Sequence, residues 1–169
     1  MTMDSICVCY STSSSLISRL IRWFSRSEAS HALLTFHDPF LEKVFVMEAN
    51  GRGFMLTPWA KWRRTHKLLA RFSVKMPPSN QVVSLKLLAE HLGSQYDYIS
   101  LLGFLFRRWV KRVANPFSDP DRLVCSEAVA VFLRDCGIGD FDKPETWTPG
   151  DLLTWMRKRP QEYQLEEGK

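Results

Sequence analysis

A thiol attacks a carbonyl carbon as the thiolate, and it needs a nearby base to reach that form. The stretch LVCSEAVAVFLRDCG at 123–137 carries a cysteine in the right kind of place. Cys125 stands where an apolar-periodic helix begins, just past Asp121 of the SDPD segment. A thiol at a helix N-terminus faces unpaired N–H groups and the positive end of the helix dipole, and both favour thiolate. Cys136 shares the apolar stripe of Ala128, Val129, Phe132 and Leu133 but lies near the C-terminal end. The dipole there opposes ionisation, so Cys136 reads as core. Taken alone, Cys125 could equally be a small buried apolar residue.

The base must come from four histidines. His66 belongs to the basic stretch KWRRTHK and His91 to a helical pattern, and both read as surface residues. His31 opens SHALLTF, an apolar strand in which an imidazole is out of place unless it is paired or functional. His37 shares its face but sits at the far end, by the Asp38-Pro39 turn, and reads as solvated. The return strand KVFVMEA carries Glu48. If the hairpin centres near residue 40, residues 31 and 48–49 lie side by side and the carboxylate can reach the ring. An acid among VFVM and AN is costly to bury without such a partner. A purely structural His–Glu hydrogen bond is the alternative reading of that pair.

These residues need elements to hold them. The chain has 169 residues, a formal net charge of +5, 45% hydrophobic and 24% charged residues, which suits one globular domain. ICVCY reads as a buried strand, Leu16 to Phe24 as a short amphipathic helix, and KVFVMEA, FMLT and KLLARFSV as further strands. Helical patterns follow from Asn80 to Gly93, from about Ser100 to Asn115-Pro116, from Cys125 to Gly137, and after Thr148-Pro149, where Asp151 completes a capping box. Antiparallel hairpins beside segregated helices predict an α+β fold. Cys7 and Cys9 are expected on opposite faces of the first strand, and all four cysteines are expected to be free thiols. No metal is required, because Cys7 and Cys9 lack a matching second ligand pair. The N-terminus carries Asp4 and no basic n-region, and no apolar run approaches the ~20 residues of a membrane-spanning helix, so neither a signal peptide nor a transmembrane segment is expected.

The combination SHALL…VMEANGRG…YDY…LVCSEAV…TPGDLL resembles the circularly permuted papain-like proteins of the NlpC type, in particular the YiiX-like group. In that group the histidine strand comes first, the acid follows on the next strand, and the cysteine comes last at a CSE helix start. The resemblance runs from Ile6 to about Met156, and it implies one permuted papain-like cysteine hydrolase domain over residues 1–169. It casts Cys125 as nucleophile, His31 as general base and Glu48 as the residue orienting His31. Tyr96 or Tyr98 of QYDY would face the substrate, and no cofactor is implied. Family members often have a glycine-aspartate start and a glycine-rich loop after the first strand; this chain has STSSSLISRLIRWF there, so the family's substrate-facing loops do not carry over.

The expected activity is hydrolysis of an amide or acyl bond through an acyl-enzyme. The substrate classes implied are peptide or isopeptide bonds, cell-wall peptides and acyl lipids, with a cytoplasmic or phage-particle-associated protein compatible with each. A competing reading is an inactive papain-like module whose segment 98–113, LLGFLFRRWVKRV with its flanks, binds an anionic membrane surface or a protein partner. The basic clusters lack interleaved aromatic platforms, which disfavours nucleic acid. The oligomeric state is not legible from the sequence.

Overall fold

The computed structural model describes residues 6–74, 78–94, 124–160 and 163–166. Tyr96, Tyr98 and the basic apolar segment 98–113 lie outside the described residues. The fold centres on a six-stranded sheet in the order β4-β3-β2-β1-β5-β6, with neighbouring strands antiparallel. The strands are β1 (Cys7–Thr12), β2 (His31–Asp38), β3 (Lys43–Asn50), β4 (Gly53–Pro58), β5 (Lys67–Val74) and β6 (Tyr163–Glu166). The helices are α1 (Leu16–Ser25), α2 (Trp59–Trp62), α3 (Pro78–Ala89), α4 (Cys125–Asp135) and α5 (Pro149–Arg157). A short 3-10 turn spans Pro144–Thr146.

Alternation along each strand divides the residues between two faces. Val8, Tyr10, Ala32, Leu34, Met47, Ala49, Ala70 and Phe72 pack against Phe132, Leu133, Leu152 and Met156 of α4 and α5 in the main core. Cys7, Cys9, Leu33 and Val46 face the other way and meet Trp62 of α2 in a smaller cluster. Cys7 and Cys9 therefore share a face, contrary to expectation: strand side chains repeat every two residues, so positions two apart must agree. Cys9 Sγ lies 3.6 Å from Thr35 Oγ1, and neither cysteine is in a disulfide.

The caps expected from sequence are present. Thr148 Oγ1 accepts from the Asp151 N–H at 2.9 Å, and Pro149 fills the first turn of α5. Past the end of α4, Gly137 has φ +73°, and its N–H bonds to the Arg134 carbonyl at 2.8 Å. A left-handed residue after a helix is cheapest as glycine. Gly150 is set by packing, because a Cβ there would collide with Ser27. That close approach seats the end of α1 on α5. Two elements were not expected from the sequence: α2, which supplies Trp62, and β6, which pairs along β5.

Candidate active site

Three strand ends converge at one end of the sheet. The last residues of β1 and β3 and the first of β2 meet there, with Ser11 paired to His31. Between Tyr10 and Ser11 the β1–β5 register slips, from Tyr10↔Ala70 to Ser11↔Leu68. Such a bulge bends the strand and redirects side chains at a sheet rim.

His31 and Glu48 come together, though not side by side as expected. The β2–β3 register is Leu34↔Met47 and Thr35↔Val46, so counting back sets Glu48 across from Leu33 and Asn50 across from His31. Glu48 is thus the diagonal neighbour of His31, within reach of a long side chain on the same face. His31 Nε2 lies 2.7 Å from Glu48 Oε2. The carboxylate is buried and saturated: Trp62 Nε1 donates to Oε2 at 3.0 Å and Asn50 Nδ2 donates to Oε1 at 2.9 Å. Trp62 is fixed by stacking on Trp59 at 5.3 Å and on His66 at 4.6 Å between ring centroids.

Cys125 opens α4 with Val124 as the extended N-cap residue. The Glu127 carboxylate accepts from the Val124 N–H at 3.3 Å, which supports the first turn. The thiol lies beside the His31 ring and faces the backbone N–H groups of Ala32 and Ser126. Because Glu48 holds Nε2, Nδ1 is the ring nitrogen left to share a proton with Cys125.

The electrostatics follow from that chain of contacts. Burial alone would push the Cys125 thiol up, but the His31 charge and hydrogen bond, with the Ala32 and Ser126 N–H groups, outweigh it and bring it down. Burial would depress His31, yet the Cys125 and Glu48 contacts raise it from 6.5 to about 10. For Glu48 the burial penalty is overcome by His31, Asn50 and Trp62, which lower it from 4.5 to about 2. All three shifts run toward the charged forms, thiolate, imidazolium and carboxylate.

A cavity of about 190 Å³ opens on these groups, lined by Cys125, His31, Ala49, Asn50 and His66 on one side and by serines 11, 13, 15, 18 and 30 with Ile17 and Ile21 on the other. Ser11 is buried and its Oγ has no hydrogen-bond partner. Asn50, Trp62 and Ser11 have no role in the sequence pattern, and His66, expected at the surface, is half-buried and lines the cavity. Asn50 stands in NGRG, which reads as a turn signal, and Trp62 reaches Glu48 from a helix that pattern did not predict. The other residues stay apart. Cys136 is core, pushed up by burial, with its thiol 3.3 Å from Ser84 Oγ. Among the described residues, no group of three or more His, Cys, Asp or Glu side chains is arranged to hold a metal ion.

An antiparallel sheet with helices packed against it defines an α+β fold. The crystal structure of the metalloprotein yiiX from Escherichia coli O157:H7 (DUF1105) shares that fold: it aligns with a TM-score of 0.60 over 98% of this chain and 97% of its own, at 18% identity. No family model matches the chain, and no curated protein matches it.

Proposed function

We propose that this protein is a thiol hydrolase acting on an amide or acyl bond, with Cys125 as nucleophile, His31 as acid and base, and Glu48 as the residue that orients and charges His31. The observation that supports it is Cys125 beside a His31 ring that is hydrogen-bonded to a buried carboxylate, with thiol and ring both lining a cavity. A buried acid saturated by three donors and holding an imidazole beside a thiol at a helix start is more than packing requires.

The Cys125 thiolate attacks the carbonyl carbon, forming the C–S bond and moving the π electrons to oxygen. The first-turn N–H groups of α4, with the helix dipole, stabilise the developing oxyanion. Collapse of the tetrahedral species breaks the bond to the leaving amine or alcohol, which takes the proton from His31 Nδ1. Neutral His31 then removes a proton from water as it attacks the thioester. The acid leaves, and the proton on His31 restores the thiolate–imidazolium pair. Peptide or isopeptide amides, cell-wall peptides and acyl lipids all present such a carbonyl, and cytoplasmic or phage-borne settings both fit. The fold neighbour is called a metalloprotein. Here the sulfur, imidazole and carboxylate bond to one another in sequence and the Glu48 oxygens are taken by His31, Trp62 and Asn50, so the trio does not fit a shared ion.

The test is intact-mass trapping of a thioester on Cys125 with a panel of activated acyl esters and peptide amides. The adduct should form on wild type, fail on Cys125→Ala and turn over slowly on His31→Ala. Absence of any adduct or hydrolysis on wild type, with Cys125 alkylated no faster than Cys136, would defeat the reading.

A further inference from the structure

Most of the large apolar side chains of α1 face away from the protein. Its buried residues are Ser18, Ile21 and Ser25. Ser18 Oγ lies 2.6 Å from Ser30 Oγ, and Ser25 Oγ donates to the Ile21 carbonyl at 2.7 Å, so two small hydroxyls share the inward face with Ile21. The outward face carries Leu16 at 75%, Trp23 at 72%, Ile17 at 48% and Leu20 at 47% exposure. Burying those side chains is favourable, and here they are left in water. Arg19, Arg22 and Arg26 run beside the apolar stripe, and the helix contains no acidic residue.

We infer that α1 is a lipid-facing helix that seats the mouth of the Cys125 cavity on an anionic bilayer. Continuity with the cavity supports this: Ile17 and Ile21 line it from α1, and His66 lines it from the basic stretch that exposes Lys61, Arg64 and Lys67. Apolar side chains flanked by cations match an interface where acyl chains meet anionic headgroups. A second copy of the chain would bring the same arginines against each other, and an acidic protein surface would leave the apolar stripe unsatisfied. At ten residues the helix is about 15 Å long and can lie in the interface but not cross it. On the hydrolase reading above, the bilayer would present its carbonyl groups at the cavity mouth; the docking itself does not depend on that reading.

The test is flotation of the full chain with vesicles of phosphatidylcholine and phosphatidylserine in equal parts. Wild type should float with them, more weakly at high salt and on phosphatidylcholine alone. Leu20→Ser with Trp23→Ser should raise the lipid concentration for half-binding by at least about tenfold, from the lost apolar burial. Arg64→Glu with Lys67→Glu should weaken binding to the anionic vesicles as an independent arm. Melting and iodoacetamide labelling of Cys125 should match wild type in the Leu20/Trp23 variant, while Cys125→Ala should float normally. Failure of wild type to float, or undiminished flotation of the folded Leu20/Trp23 variant, overturns the inference. So does a wild-type dimer that this variant dissociates without any vesicle binding, which would assign the face to a second copy. Failure of the hydrolase reading would look different: slow Cys125 alkylation with flotation intact.

Discussion

Replacing Glu48 with glutamine removes one charge from the centre of the site, and the structure says what else it disturbs. Oε2 accepts from both His31 and Trp62, so the amide oxygen must take that place. The amide nitrogen then meets the Asn50 Nδ2 donor, which bonded to Oε1. Asn50 cannot simply turn round, because its Oδ1 accepts from the Arg52 N–H at 2.9 Å. The imidazolium loses a charge-assisted bond worth roughly 1.5–3 kcal/mol, and at about 1.4 kcal/mol per pKa unit His31 should fall by ~1–2 units. The ratio of thiolate–imidazolium to thiol–imidazole should drop about tenfold to a hundredfold. The assay is the pH profile of Cys125 alkylation by iodoacetamide, read by mass spectrometry, with melts alongside. Wild type should label readily through neutral pH, with an alkaline break as His31 loses its proton near 10. The Glu48→Gln break should move down by ~1–2 units, and labelling near neutral pH should slow by up to the same factor as the ion-pair ratio. Because Glu48 is buried, and not at a solvated strand end, the variant should also lose about 2–4 kcal/mol of stability. A folded Glu48→Gln protein whose profile superimposes on that of wild type would refute the coupling.

Four further outcomes follow from the same geometry. Cys125 should alkylate before Cys7, Cys9 and Cys136, because its thiol is brought down while burial pushes Cys136 up; first labelling of any other cysteine in the folded protein contradicts the assignment. Trp62→Phe keeps the stacking on His66 and Trp59 but removes the N–H on Glu48, so it should cost about 1 kcal/mol and shift the alkaline break less than Glu48→Gln does. Glu48, lowered from 4.5 to about 2, contributes stability above pH 4.5 that is lost as pH falls toward 2, about 3 kcal/mol in all, and melts of Glu48→Gln should lack that part of the acid slope. Ser11→Ala removes a buried hydroxyl that lacks a protein partner, so it should leave melting unchanged and, once a substrate is found, raise KM with little change in kcat; a lower melting point with unchanged kinetics would make that hydroxyl structural.

His31 and Glu48 were legible as a pair because an imidazole and a carboxylate in apolar strands each require an explanation, and a hairpin supplies it. Their register was off by one because a hairpin centred on residue 40 sets residue 31 across from 49, whereas Leu34↔Met47 centres it between residues 40 and 41. That small shift brings Asn50 opposite His31 and makes it a third donor to the acid. Composition and periodicity could not supply Trp62, whose role depends on a four-residue helix with no apolar period long enough to read. The head of α4 was legible for a firmer reason. A helix start is marked locally, by an apolar stripe and a closing Gly137, so the position of Cys125 at its first turn did not depend on knowing the tertiary fold.

The helix after β1 shows the opposite case. Leu16, Ile17, Leu20, Ile21 and Phe24 recur at helical spacing, and periodicity establishes that they share a stripe. It does not establish which way the stripe faces. Here the stripe divides: Ile21 is buried, while Leu16, Ile17 and Leu20 face outward, for a packing reason. The residues that α1 turns toward the protein are Ile21, Ser18 and Ser25, and the two small serines let the helix sit close to Ser30 and to the start of α5, where Gly150 leaves room for Ser27. A leucine in place of Ser18 or Ser25 would hold α1 away and open the serine wall of the cavity. Close approach at the wall and an apolar stripe outward are therefore two consequences of one arrangement. The stretch STSSSLISRLIRWF, which stands where the resembling family often has a glycine-rich loop, builds one wall of the cavity with its serines and the exposed stripe with its leucines and tryptophan.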